Sequence, residues 1–367
     1  MKRLCVAVWF SAIFSTLVFV SQAMADWGKI GPDMRITNAS GDSWYSSLVW
    51  TGTEFGVSWQ DRRDGNDEIY FARIDSSGNK IGSDVRITND VGGSGHPSLV
   101  WTGTEYGVSW YDNRDGNTEI YFARIDSTGA KIGTDMRITN DAGLSENPSL
   151  AWANTEYGVS WIDNRDGNTE IYFARIDSSG SKIGGDARIT NDSGLSTYPS
   201  LVWTGIEYGV SWYDDRDGNW EIYFVRVDTF GSKIGGDARI TNDISNSSRP
   251  SLVWTGVEYG VSWNDFRDSN NEIYFARIDT SGNKLGTDVR ITIDVASSMS
   301  PSLVWMGTEY GVSWQDDRDG ANEIYFARIG QSGQGPIPTL SEWGMLIMAG
   351  LLLLTLAGHM RRQYSAT

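Results

Sequence analysis

Hydrophobic and polar residues alternate in short blocks along most of the chain, and the blocks recur. Residues 97–147, PSLVWTGTEYGVSWYDNRDGNTEIYFARIDSTGAKIGTDMRITNDAGLSEN, give the unit. Its second tryptophan returns as Trp59, Trp110, Trp161, Trp212, Trp263 and Trp314, always 51 residues apart. A fixed period of this kind marks repeated structural units. Four segments of the unit predict strands: SLVW (98–101), YGVSW (106–110), EIYFARID (119–126) and MRIT (136–139). In YGVSW, alternation puts Tyr106, Val108 and Trp110 on one face and Gly107 and Ser109 on the other. The breaks TGTE, DNRDGNT, DSTGAK and NDAGLSEN carry the Gly, Asn and Asp of tight turns. No window keeps a helical period.

Four strands per unit, repeated radially, predict a β-propeller with four-stranded antiparallel blades. The chain ends favour a closed ring. The first RIT segment, within 29–37, precedes the first SLVW, and the sixth unit stops after EIYFARIG (323–330). Six complete blades therefore require the N-terminal strand to join the last one, which also removes two exposed sheet edges. A linear solenoid would need capping repeats with a polar outer face, and the sequence has none. Twelve of the 17 tryptophans occupy two repeat positions, such as Trp101 and Trp110. Their recurrence makes them packing residues between blades.

The run P-S-L-V-W-x-G-x-E-Y-G-V-S-W, then D-x-R-D-G-N-x-E-I-Y, then R-I-T-N resembles the WD40-like repeat of the periplasmic Tol-system β-propeller. The resemblance covers all six units and implies a six-bladed propeller that acts through binding. One departure is the turn after the first strand, W-T-G-T-E where that family has S-P-D-G, so no partner surface carries over.

Residues 1–25 read as a secretory signal peptide: Lys2 and Arg3, the apolar run Leu4–Val20, then Ala23-Met24-Ala25 as a small-residue cleavage site. An uncleaved anchor is the alternative. Cys5 lies inside this segment, too early for a lipoprotein site, so a cleaved chain holds by packing and strand pairing without disulfides. Residues 26–330 form the expected propeller and 331–336 a linker. IPTLSEWG follows at 337–344, then an apolar run from Met345 to Gly358 and Arg361-Arg362. As a helix at about 1.5 Å per residue the run barely spans a bilayer, and the basic tail would face the cytoplasm. Ile337, Pro338, Thr339, Leu340, Glu342, Trp343 and Gly344, with that span and tail, resemble the IPTL-type sorting signal of Gram-negative bacteria, which is similar in layout to PEP-type exosortase signals. The resemblance implies a precursor held transiently in the inner membrane, cut by a processing protease and released toward the cell surface. A permanent single-span transmembrane anchor is the bland alternative.

Net charge is −17, and every acid except Glu342 lies within 26–330. That sign repels phosphate backbones and argues against nucleic acid as a partner. The turn Asp-x-Arg-Asp recurs from Asp61-Arg63-Asp64 to Asp316-Arg318-Asp319. A ring of carboxylates would suit Ca²⁺, but an arginine between each pair suits an Asx-type turn with an internal ion pair, so no cofactor is expected.

Function concentrates where the repeats differ, on loops held by a rigid scaffold. The residue before Pro-Ser-Leu varies: Tyr45, His96, Asn147, Tyr198, Arg249 and Ser300. These should ring the mouth of the central channel. The residue after the second tryptophan also varies: Gln60, Tyr111, Ile162, Tyr213, Asn264 and Gln315. Trp44, Trp220 and Phe266 are further aromatics outside the pattern. The face combining them has the make-up of a binding site, richest in the fourth unit with Tyr198, Tyr213 and Trp220. A surface glycan or peptide is the expected ligand there. Drift among redundant repeats would produce the same variation.

Catalysis has less support. The repeats carry one histidine, His96, and no cysteine, so a nucleophile–base pairing is not visible. Glycosidases need only two carboxylates, and Asp42 and Glu146 are among the few acids off the repeat pattern. The reading is an exported, surface-sorted propeller with a non-catalytic binding or scaffold role, with a carbohydrate-active enzyme as the alternative.

Overall fold

In the computed structural model, residues 27–331 other than Ala321 are described. The signal-peptide and sorting-signal readings, including the expected C-terminal transmembrane helix, lie outside the described residues. Twenty-four strands form six four-stranded antiparallel sheets. β1 is Trp27–Arg35. Blade 1 is β2 (Ser43–Trp50), β3 (Glu54–Asp61), β4 (Glu68–Asp75) and β5 (Lys80–Arg86). Blades 2 to 5 repeat it at 94–137, 145–188, 196–239 and 247–290, and blade 6 holds β22 (Ser298–Trp305), β23 (Tyr310–Asp316) and β24 (Glu323–Gln331). The first strands of neighbouring blades pack on one another around the axis, so they are innermost.

β1 supplies the fourth, outermost strand of blade 6, antiparallel to β24, with Lys29 opposite Ile329 and Arg35 opposite Tyr325. The expected closure is therefore present. Its chemistry copies the other blades. Within blade 1, buried Glu68 accepts from Arg86 (2.7 Å) and Thr88 (2.5 Å), and the Ile69 amide donates to Thr88 Oγ1 (2.8 Å). At the seam, Glu323 accepts from Arg35 and from Thr37 (2.5 Å), and the Ile324 amide donates to Thr37 Oγ1 (3.1 Å). Arg318 reaches Asp33 (2.7 Å) as Arg63 reaches Asp84 (2.9 Å).

The cores lie between blades. Trp59, Trp110, Trp161, Trp212, Trp263 and Trp314 are fully buried. The glycine of each second strand lets the next blade approach: a Cβ on Gly107 would sit 2.6 Å from the Tyr157 ring. This is why the small face of YGVSW faces a neighbour and the bulky face fills the core. Phe71, Tyr106 and Trp101 meet in one such cluster, with Phe71–Tyr106 centroids 4.9 Å apart.

The Asp-x-Arg turn caps these cores. Asp61 is fully buried and accepts from Trp59 Nε1 (2.8 Å), Ser43 Oγ (3.1 Å), and Arg63 Nε (2.8 Å) and Nη2 (2.6 Å). Burial alone would raise this carboxyl, but the Arg63 guanidinium and the Trp59 indole outweigh it and hold it below the usual carboxylate range. Asp112, Asp163, Asp214, Asp265 and Asp316 are shifted the same way for the same reasons. These carboxylates sit one per blade, each engaged by its own arginine. Among the described residues no group of three or more His, Cys, Asp or Glu comes together to hold a metal ion.

Removing the Asp163 charge leaves Arg165 its outer partners Asp141 (2.8 Å) and Asp186 (2.9 Å) but strips the buried acceptor to which Arg165, Ser145 Oγ and Trp161 Nε1 all donate. Asp163→Asn should destabilise the ring by about 3 kcal/mol, read as a lower urea midpoint. Because a depressed carboxyl stabilises above its unfolded pKa, wild-type stability should fall as pH drops below about 4.

Candidate functional site

Each innermost strand begins with a β-bulge. In blade 2 the register shifts between Gly95 and Ser98, so two residues face one on the partner strand. The same shift falls between Trp44 and Ser47 and at the matching place in every blade. The first bulged residue takes a left-handed backbone: φ is 52° at Tyr45, 50° at His96, 52° at Asn147, 49° at Tyr198, 54° at Arg249 and 53° at Ser300. A proline follows in five blades and Ser46 in the first. A bulge frees the amide that proline lacks, which is how proline fits in an inner strand. Six non-glycine residues kept at positive φ mark a place where side chains matter more than backbone ease.

All six of these side chains line one cavity of about 110 Å³ on the ring axis, with Ser46 and the five prolines as its collar. The residues expected to ring the channel mouth meet one another across the axis as a plug. Tyr45 stacks on His96 with centroids 3.6 Å apart. The Arg249 guanidinium lies 5.2 Å from the Tyr45 ring and 4.9 Å from Tyr198, and donates to Ser300 Oγ (2.7 Å). Tyr198 stacks on Tyr213 (5.5 Å), and Tyr213 meets Trp220 edge-on (4.9 Å). On the other side His96 lies 5.3 Å from Tyr111. A continuous arc thus runs Trp220–Tyr213–Tyr198–Arg249–Tyr45–His96–Tyr111, with Asn147 beside His96.

The arc rests on residues that variation alone could not sort. Gln60, Asn264 and Gln315, all buried, accept from the bulge amides of His96 (3.3 Å), Ser300 (3.4 Å) and Tyr45 (3.4 Å) in the next blade. They position the plug; Tyr111 and Tyr213 at the same repeat position join it. Trp44 lies apart, under Arg62 (5.2 Å), and Phe266 is exposed.

Several groups of the site are perturbed. Enclosure in the plug, with the Arg249 cation nearby, holds His96 down at about 3, so it is neutral at ordinary pH. Burial pushes the Glu146 carboxyl up, against a hydrogen bond to Thr118, and raises Tyr111 to about 12 with help from the Asp67 and Glu146 charges. Among the described residues no carboxylate lines the axial cavity itself.

Residues 336–363 match the family described as the IPTL-CTERM motif, which covers the sorting signal read from sequence. No curated protein matches the chain. Among solved structures the chain is similar to the subtype N10 neuraminidase-like protein of A/little yellow-shouldered bat/Guatemala, at 10% identity and TM-score 0.56 over 85% of this chain and 99% of that one. It is also similar to Trypanosoma rangeli sialidase, at 9% identity and TM-score 0.57 over 87% of this chain and 60% of that one. At such identities the likeness shows the fold, a six-bladed propeller.

The depressed histidine has a measurable consequence. Its unfolded form takes up a proton near pH 6.5 while the folded form does not until about pH 3. Folding is therefore opposed increasingly as pH falls through that window. In thermal melts from pH 7 to 4, His96→Asn should lose less stability than the wild type.

Proposed function

We propose that this chain is exported and sorted to the cell surface, where its propeller binds a glycan at the aromatic and cationic site on the ring axis. The IPTL-CTERM match supports surface sorting, and the basic start followed by the apolar run Leu4–Val20 and Ala23-Met24-Ala25 fits export. The observation that carries the binding reading is the arc from Trp220 to Tyr111. It joins flat rings, a guanidinium and an amide around a concavity at the loop-bearing end of a rigid ring. Aromatic faces suit the apolar side of a sugar ring, while Arg249, Asn147 and Ser300 supply hydrogen bonds. Trp220 and Tyr213 sit at the open end of the arc, beyond the cavity lining.

The likeness to sialidase propellers supports a second reading at least as well, a carbohydrate-active enzyme. Glu146 is the group that favours it: an off-repeat carboxyl whose raised pKa is what a general acid needs, beside Tyr111. Under that reading the glycan still enters by the axial site, and a second carboxylate from the rim loops would complete the pair.

A glycan array probed with the full chain tests the binding reading. Tyr213→Ala combined with Trp220→Ala should lower the signal on any wild-type hit at least tenfold; undiminished binding would remove this site. Incubating the hits and assaying reducing ends separates the two readings. No sugar release is the outcome expected for a binder, and release that disappears in Glu146→Gln would make the chain a hydrolase.

A further inference from the structure

Arginine pairing in this protein is almost complete. Between 27 and 331, every arginine except one lies within ion-pair distance of a carboxylate: Arg63 with Asp61, Arg73 with Glu54, Arg86 with Glu68 and so on around the ring to Arg318 with Asp316 and Arg328 with Glu309, and likewise Arg35 and Arg62. The exception is Arg249. Among the described residues it has neutral partners only: the Tyr45 and Tyr198 rings, Ser300 Oγ (2.7 Å) and, at 3.5 Å, the Tyr198 hydroxyl. Its neighbours in the cavity lining are equally neutral, His96 included.

A chain of net charge −17 has no shortage of acids to offer this cation. The repeat supplies none at this position, because the bulge carries Tyr45, His96, Asn147, Tyr198 or Ser300 in the other blades. A partly buried guanidinium without a counter-ion is costly on its own. The tyrosine faces and the serine hold it in place but leave its charge uncompensated. Its planar fork matches a carboxylate in two hydrogen bonds.

The cavity size limits what enters. About 110 Å³ is well below the roughly 300–1,000 Å³ of a pocket that encloses a drug-sized ligand, so it takes a carboxylate and its near neighbours rather than an oligosaccharide. A sugar whose carboxylate reaches Arg249 would therefore hold its ring outside, over the Tyr198–Tyr213–Trp220 side of the arc. The acidic body of the propeller disfavours polyanions, so a single carboxylate within an otherwise neutral oligosaccharide fits best. Resting on the glycan-binding reading of this site, we propose that its ligand is an acidic sugar, anchored by its carboxylate on Arg249.

The test uses the full chain and a printed panel of uronate- and sialate-terminated oligosaccharides, each beside its carboxyl methyl ester. Esterification removes the charge and keeps the sugar. The wild type should bind an acid form and lose at least tenfold on its ester, and Arg249→Gln should show the same loss on the acid. The melting temperature of Arg249→Gln should match or exceed the wild type, because an uncompensated cation is removed; a purely structural arginine would lower it. If Arg249→Gln does melt lower, Arg249→Lys separates the roles, since a retained preference for acid over ester supports the anchor and its loss overturns it. Equal binding of acid and ester that still disappears in Tyr213→Ala with Trp220→Ala overturns the anchor and leaves the glycan site standing. Capture of peptides through a terminal carboxylate, with no glycan bound, overturns the sugar assignment.

Discussion

Pairing of β1 with β24 is the contact on which the ring depends. A blade of this protein does not bury its own core: Trp110 and Tyr106 are covered only when their sheet packs against the glycine face of the preceding blade, where Gly56 meets the Tyr106 ring. Five blades can satisfy one another along the chain, but the sixth is a three-stranded sheet until the N-terminal segment arrives. Arg35, Ile36 and Thr37 then repeat at Glu323 and Ile324 the bonds made elsewhere by Arg86, Ile87 and Thr88. The packing of blade 6 on blade 1 is slightly looser than the other interfaces between blades. A Cβ on Gly311 would lie 3.1 Å from the Phe55 ring, whereas the equivalent glycines meet tyrosine at 2.5–2.7 Å. Stability is thus shared among like interfaces rather than stored in one centre.

Closure also creates the site. A strictly periodic repeat brings the same position of every unit to the axis, so six residues far apart in sequence share one small space. Any difference between units is then concentrated there. Tyr45, His96, Tyr198 and Arg249 stack because rotational symmetry places them face to face, while their identities break that symmetry and give the plug a direction. The other described arginines are paired locally: Arg63 with Asp61, Arg73 with Glu54, Arg86 with Glu68, repeated around the ring. Against that background the axial cation stands out physically, as a charge whose partner is not part of the repeat.

Much of this was legible in the sequence. Alternation in YGVSW, glycine at the turns and the displaced RIT segment gave four strands, six blades and the closing strand, because each rests on local chemistry repeated six times. The residues before Pro-Ser-Leu were identified as axial from their variation and strand order. Their inward direction was not legible, since it comes from a bulge whose left-handed backbone no residue type at that position announces: tyrosine, histidine and arginine all occupy it. The roles of Gln60, Asn264 and Gln315 were hidden for the same reason; they bond to a neighbouring blade's backbone across dozens of residues. The expectation of a non-catalytic protein rested on missing motifs alone, and a six-bladed propeller by itself carries either role.

Hydrogen–deuterium exchange of the full chain measures ring closure most directly. With β1 in place, amides of 323–331 are inner-sheet amides and should exchange as slowly as those of 170–177, the matching third strand of blade 3. Exchange at 323–331 as fast as at an open sheet edge, with 27–35 unprotected, would contradict the closed ring and the axial site built on it.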